Sequence, residues 1–573
     1  MSQRLHERDR RLLAAEAGLQ PPPWGGRLSV ALVYPNTYRQ GMSNLGLQTV
    51  YALLNRREDS RCERFFLPDP ADLAEHRRTG QPLLSLETRR PANDFDLIAF
   101  SLSFENDYLN LPPLFELLQL PLFRTDRDAR FPLLLAGGVC AFLNPEPLAE
   151  IIDLFAVGEA EPILPGLIAT LATSQNTARD QLLARLAGQP GVYVPKMYQV
   201  DYDDAGLPAY RAVGGAPPRV ARQWCRDLDA EGTASCIVTP HTEFADMRLV
   251  EVSRGCPRAC RFCAAGFIYR PFRQRSLSGL ADGSGLAGDS GRVGLVAAAV
   301  ADYRELAVLG RTIQAAGAEV SVSSVRIDAL DAEQVAMLAA SGHKTLALAP
   351  EAGSQRMRDL MNKGVDEAQI LAAVERIANG GIPNLKLYFM IGLPGETLAD
   401  VEAIVELTGK IRDVWLAAGR RAGFLGQIGL SVNPFVPKPW TPLQWAPMVP
   451  RAELEKKYRI LQKQLRTLAN VTLQTESLRS AELQGLFARG DRRTAALLPL
   501  LAAGKSLKAA CRDAGLDPAF YLYRERGAAE TFPWEIIDQS IRRDYLWQEY
   551  QAALAARLGQ VCHAGCRRCG LVC

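Results

Sequence analysis

Short apolar runs that end near glycine or asparagine and alternate with helical segments are the tightest constraint on this chain, because parallel sheets and barrels absorb that pattern. Leu28 to Tyr34 (LSVALVY), Asp96 to Phe104, Phe131 to Ala136 and Leu154 to Val157 are such runs, with helix-like stretches between them. They predict an α/β fold that begins with a doubly wound, Rossmann-like domain over residues 26–175. A ligand is expected at the carboxyl edge of its strands, where open α/β sheets bind. Residues 176–245 show little periodicity and read as a connector. From Met247 the alternation resumes in RLVEVS, VGLVAAAV, EVSVSSVRI, TLALAPE, NLKLYFMIGLP and GQIGLSVNPFVP. Six such strands predict a partial or complete (β/α) TIM-type barrel over 246–480, with chemistry on the loops after the strands. The Gly-rich stretch from Gly279 to Gly291 reads as a loop. Residues 481–573 read as a helical carboxyl-terminal region that ends in a cysteine-rich tail.

Lys and Arg exceed Asp and Glu by 66 − 63 = 3. That balance recruits neither nucleic acid nor a membrane surface, and neither is expected as a partner. Met1 to Arg10 is too charged for a signal peptide, and no uncharged run is long enough to span a bilayer. The expected compartment is the cytoplasm, where grouped cysteines mean metal more often than disulfide. Of twelve cysteines, Cys62, Cys140, Cys225, Cys236 and Cys511 are scattered and read as small apolar residues. The other seven fall into two groups.

Cys256, Cys260 and Cys263 follow the predicted strand RLVEVS directly, in C-x3-C-x2-C spacing. Three thiolates on so short a loop can wrap three corners of a 4Fe–4S cubane and leave the fourth iron open. A structural zinc site needs four closed ligands, and no fourth Cys or His lies near. Cys562, Cys566, Cys569 and Cys573 place four thiols within the last twelve residues. They suit either a second iron–sulfur cluster or tetrahedral zinc, with His563 as a further candidate zinc ligand.

The segment EVSRGCPRACRFC resembles the radical S-adenosylmethionine (SAM) superfamily. The resemblance implies that Cys256, Cys260 and Cys263 hold a catalytic 4Fe–4S cluster whose open iron is chelated by SAM. An electron then cleaves SAM to methionine and a 5′-deoxyadenosyl radical, which takes hydrogen from substrate. Phe262, just before the third cysteine, would pack near the adenine. Ser324 and Arg326 in SVSSVRID, Glu351 in LAPEAG and Gly392 in YFMIGLPGE resemble SAM-pocket positions on later strands. The family's Gly-Gly-Glu after the second barrel strand is replaced here by Ala298-Ala299-Val300, so no side chain at that point is assigned to the SAM amino group.

The run YPNTYRQGMSNLGL is similar to the cobalamin-binding domain that precedes the radical SAM core in one large subgroup. It implies a cobalamin pocket lined by Asn36, Tyr38, Gly41, Ser103, Gly137, Gly138 and Glu159. The mutase-type Asp-x-His-x-x-Gly motif is absent, so either cobalt is held without a histidine or the domain has no cofactor. The leading function implied is a cobalamin-dependent methyltransferase acting on an unactivated carbon. A radical SAM cyclase or rearrangement enzyme, a sulfur-insertion enzyme using the tail cluster, and a non-catalytic iron–sulfur electron-transfer protein are the other readings. The partners implied are SAM, a substrate the sequence does not identify, and a reducing protein such as flavodoxin or ferredoxin.

Overall fold

The computed structural model describes residues 2–174, 177–284, 291–322, 325–563 and 565–572. Near the amino end, β1 (Leu28–Tyr34), β2 (Ser60–Phe66), β3 (Leu97–Ser101), β4 (Leu133–Gly137), β5 (Leu154–Ala156) and β6 (Val192–Tyr193) form one sheet in the order 2-1-3-4-5-6. Neighbours run parallel except β5 and β6, which are antiparallel. β1 is buried at every position, which is why it reads as an unbroken apolar run. β2 is equally buried although its sequence is SRCERFF. Its charges are paired in place: Arg61 with Glu63, and Arg64 with both Glu16 and Glu87. Strand order reverses between β1 and β3, which opens a crevice at the carboxyl ends of the strands.

The second half is a partial barrel made of two parallel sheets. β7 (Arg248–Glu251), β8 (Arg292–Val296) and β9 (Glu319–Val322) form the first. β10 (Thr345–Glu351), β11 (Asn384–Ile391), β12 (Ile428–Pro434) and β13 (Val471–Thr475) form the second. Val325 N–H donates to the Ala347 carbonyl at 3.3 Å and links the two where β9 approaches β10. Six of these strands are the six runs of the sequence. The seventh, β13, is an additional, mostly exposed edge strand.

The remaining segments hold further structure, and the loop expected from Gly279 needs correcting. The connector holds β6 and a hairpin that pairs Tyr198–Tyr202 with Pro208–Ala212, so it is structured. Leu277–Ser284 is helical, because Leu277 and Leu280 give that end of the Gly-rich stretch an apolar face; residues 285–290 lie outside the described residues. The carboxyl-terminal helices share one apolar core with the first sheet. Tyr108 packs edge-on against Phe487 at 5.6 Å, Trp440 donates its indole N–H to the Leu143 carbonyl at 3.1 Å, and Asn144 donates to the Gly490 carbonyl at 2.8 Å. Among the described residues no helix is long and apolar enough to cross a membrane.

Candidate functional site

The cysteine loop begins where β7 ends. Gly255, directly before Cys256, has φ +86°, and a Cβ there would stand 2.5 Å from the Tyr269 carbonyl oxygen. Glycine is therefore required for the chain to turn into the loop. Cys260 is buried and Cys256 and Cys263 are half-buried. Burial pushes the Cys256 thiol up to about 12, opposed by the Arg258 N–H at its sulfur and reinforced by Cys260 and Cys263. The Cys263 thiol is raised by burial and by Cys260, against backbone N–H groups of Gly266 and Ala265. The three thiols thus feel one another electrostatically, and backbone donors face two of the sulfurs.

This donor set fits an iron–sulfur cluster: three soft ligands on one tight loop, with N–H groups of the kind that tune cluster potential. Among the described residues, no three Cys, His, Asp or Glu side chains already stand in metal-ligating geometry. Binding would draw the thiols together and release their protons.

Charged groups from later strands gather around the loop. Arg326 is paired with Asp328 at 2.9 Å, lies 3.8 Å from Asp302, and feels the Cys260 sulfur. Glu351 sits at φ +69°, a left-handed backbone uncommon for a residue with a side chain, and accepts from Lys363 Nζ at 3.0 Å. Burial opposes the charge on Lys363, but Glu351 and Cys260 outweigh it and hold its pKa above the usual lysine value. Arg258 bridges Asp302 at 2.5 Å and Asp328 at 2.9 Å. Phe262 is half-buried against the core. Gly392 closes β11 at φ +83°, where a Cβ would meet Leu454 at 2.9 Å. Ser324 lies outside the described residues. Arg258 and Asp302 were not singled out from sequence because they pair across different loops; Lys363 and Asp328 pair within their own segments, with Glu351 and Arg326, and no spacing marked them.

A cavity of about 430 Å3 lies between the carboxyl edge of the first sheet and this loop. One wall carries Asn44, Ser103, Gly137, Gly138 and Glu159; the other carries Ser253, Arg254, Gly255, Tyr269 and Ala298. Its surface is largely apolar with a few hydroxyl, amide and charged groups, the usual make-up of a cofactor cleft. Gly138 has φ +96°, and a Cβ there would stand 2.5 Å from the Leu102 carbonyl oxygen. Among the described residues no histidine lines this cavity.

Three residues expected in the pocket stand elsewhere. Asn36 donates to Asp107 at 2.8 Å, Tyr38 donates its hydroxyl to Glu16 at 2.6 Å, and Gly41 packs under the Phe66 ring. These partners turn the first half of the loop away from the cavity and leave Asn44 to Gly46 to face it.

Glu159 does line the cavity, but as a tie. It accepts from Arg254 at 2.7 Å, from Arg273 at 2.7 and 3.0 Å, and from the Cys225 N–H at 2.8 Å. Arg254, two residues before Cys256, also binds Glu161 and Glu251, both at 2.8 Å. This buried network joins the first sheet to the root of the cysteine loop.

The tail packs against the same loop from another side. Cys562 N–H donates to the Pro257 carbonyl at 3.1 Å, and Arg261 reaches the Arg557 carbonyl at 2.8 Å and Glu549 at 3.0 Å. Cys566 and Cys569 are buried and Cys562 is half-buried; Cys573 lies outside the described residues. Of the scattered cysteines, Cys62, Cys140 and Cys511 are buried, whereas Cys225 and Cys236 are only half-buried.

Comparison with known proteins matches residues 46–195 to the family described as radical SAM proteins, N-terminal, and residues 250–408 to the radical SAM superfamily. An uncharacterized protein of Methanocaldococcus jannaschii, MJ0966, is 29% identical over 471 residues, which is 81% of this chain and 89% of that protein. Among solved structures, the radical SAM methyltransferase TsrM of Kitasatospora setae, with cobalamin and a [4Fe-4S] cluster bound, is 14% identical. The match covers 85% of this chain and 99% of TsrM, at a TM-score of 0.49. The cobalamin-dependent SAM radical enzyme OxsB, with aqua-cobalamin bound, is 16% identical over 66% of this chain and 52% of its own, at a TM-score of 0.45.

Proposed function

Because this chain belongs to the radical SAM superfamily, we propose that it is a cobalamin-dependent radical SAM enzyme that methylates an unactivated carbon. The observation that carries the reading is the shared cavity, with the first sheet's carboxyl edge as one wall and the residues leading into Cys256 as the other. A cofactor seated there lies beside the loop at which SAM is cleaved. When bound, the cluster supplies the electron that breaks the sulfonium carbon–sulfur bond, and cobalamin supplies a methyl carrier.

The chain's own residues hold and align these groups. Cys256, Cys260 and Cys263 ligate three irons, and Phe262 flanks the adenine. Arg326 and Lys363 offer positive charge to the methionyl carboxylate, and Glu351 offers negative charge to its amino group. Asn44 and Ser103 offer hydrogen bonds to the amide rim of a corrin, while Gly137 and Gly138 let it approach the backbone. Holding these parts in register is where the protein contributes most to such a reaction. The tail cysteines hold a second metal centre.

The test is anaerobic protein, reconstituted with iron and sulfide and given SAM and dithionite. Wild type should release 5′-deoxyadenosine, and Cys256→Ala should abolish it. Cobalamin absorbance should accompany wild type and be lost from Gly137→Leu, with the iron content retained. Cluster-loaded wild type that makes no 5′-deoxyadenosine would sink the cleavage step. Wild type that stays free of cobalt under saturating cobalamin would sink the second cofactor.

A further inference from the structure

The tail repeats the spacing of the first loop. Cys256, Cys260 and Cys263 are C-x3-C-x2-C, and so are Cys562, Cys566 and Cys569. We propose that Cys562, Cys566 and Cys569 hold a second 4Fe–4S cluster, which passes one electron at a time to the cluster on the Cys256 loop. The proposal deepens the reading of a tail metal centre and rests on SAM cleavage at the first loop.

Three observations support iron–sulfur chemistry and a relay role. A loop of this spacing can curl around a cubane, and a twelve-residue run of four thiols is compact in the manner of cluster-binding runs. Guanidinium groups attend the sulfurs: Arg568 Nε lies 3.5 Å from Cys566 Sγ, and buried Arg270 hydrogen-bonds both Tyr545 and Cys569. Positive charge and N–H donors at the sulfurs stabilise a reduced, more negative cluster. Finally, the tail touches the first loop directly through the Cys562 N–H and the Pro257 carbonyl, 3.1 Å apart.

The electron's entry side is also marked. Leu554, Leu558, Val561 and Val572 are exposed apolar residues on this segment. Arg557 and Arg567 are exposed among them, and no Asp or Glu occurs from residue 551 to 573. A segment that is apolar and basic in this way fits an acidic, low-potential one-electron carrier. The carrier is oxidised by one electron as the tail cluster is reduced. The tail cluster returns to its oxidised state when it reduces the loop cluster, and one electron is consumed for each SAM cleaved.

The experiment uses the full chain, reconstituted anaerobically, as wild type, as a Cys566→Ser/Cys569→Ser double variant and as a Cys256→Ser/Cys260→Ser/Cys263→Ser triple variant. Wild type should bind about eight irons and each variant about four, as two cubanes require. The reduced triple variant should give an electron paramagnetic resonance signal that SAM does not change, whereas the double variant's signal should shift with SAM. With dithionite the double variant should still make 5′-deoxyadenosine. With reduced flavodoxin as sole donor it should lose at least tenfold. One zinc and about four irons in wild type would overturn the proposal, as would full flavodoxin-driven turnover by the double variant. If the double variant does not fold, the triple variant decides: about four irons support the second cluster, and none refutes it. A wild type that fails with dithionite defeats the proposed function instead, while the metal counts still judge the tail.

Discussion

Replacing Glu159 with glutamine should release the cysteine loop from the first sheet. The side chains of Glu159, Arg254 and Arg273 are 4%, 10% and 8% exposed, so the charges sit where solvent screens little. Removing one partner of a buried ion pair costs about 3–5 kcal/mol, because the other charge is left uncompensated. Arg254 keeps Glu161 and Glu251, so the loss falls on Arg273, whose remaining partners are the carbonyls of Cys225, Pro271 and Tyr269 and the Trp224 ring. The lower end, about 3 kcal/mol, is therefore expected. Native-state proteolysis between residues 220 and 275 reads this directly, since cleavage follows the population of the opened form; about 3 kcal/mol becomes a roughly 100-fold faster cut. Adding Arg273→Met removes the stranded charge and should recover about 2 kcal/mol, a coupling that only contacting residues show. Burial pushes the Glu159 pKa upward, but Arg273 and Arg254 outweigh it and hold it below the usual carboxylate value. The stabilisation is thus fully present above about pH 4.3 and is lost as pH falls through the depressed folded value. Cleavage of the glutamine variant within threefold of wild type, or energies additive to within about 0.5 kcal/mol, would refute the tie.

Two further outcomes are expected. Burial raises the Asp107 carboxyl to about 6, although Asn36 donates to it. Its folded value lies above the ordinary value of about 3.9, so its ionised form destabilises the fold above about pH 6. Wild type should gain melting temperature from pH 8 to pH 5 relative to Asp107→Asn, and parallel curves for the two proteins would contradict this. Lys363→Met should strand Glu351 beside the cysteine loop and raise the KM for SAM at least tenfold with dithionite as donor; an unchanged KM would remove Lys363 from the SAM pocket.

The strands most legible in sequence were those whose burial is purely apolar. LSVALVY and NLKLYFMIGLP announce themselves, one by an unbroken run and the other by burial on alternate positions. β2 was hidden because Arg61, Glu63 and Arg64 look like surface residues until Glu16 and Glu87 arrive from distant segments to neutralise Arg64. β13 was hidden for the opposite reason, since an exposed edge strand such as VTLQT carries no apolar signal. The site divides in the same way. The cysteine spacing is local and could be read directly, whereas Lys363 meets Glu351 only because the helix Gln355–Leu360 turns the connection after β10 back on itself. In the pocket loop the motif was visible but its facing half was not, because Asp107, Glu16 and Phe66 decide which residues turn inward.

The tail's grip on the loop also has a consequence for how the enzyme is made. Arg261 and the Arg557 carbonyl that holds it are 296 residues apart in the chain. At about 5–20 residues per second, a ribosome needs roughly 15–60 s to travel from one to the other. During that interval the three thiols of the first loop exist without their cover.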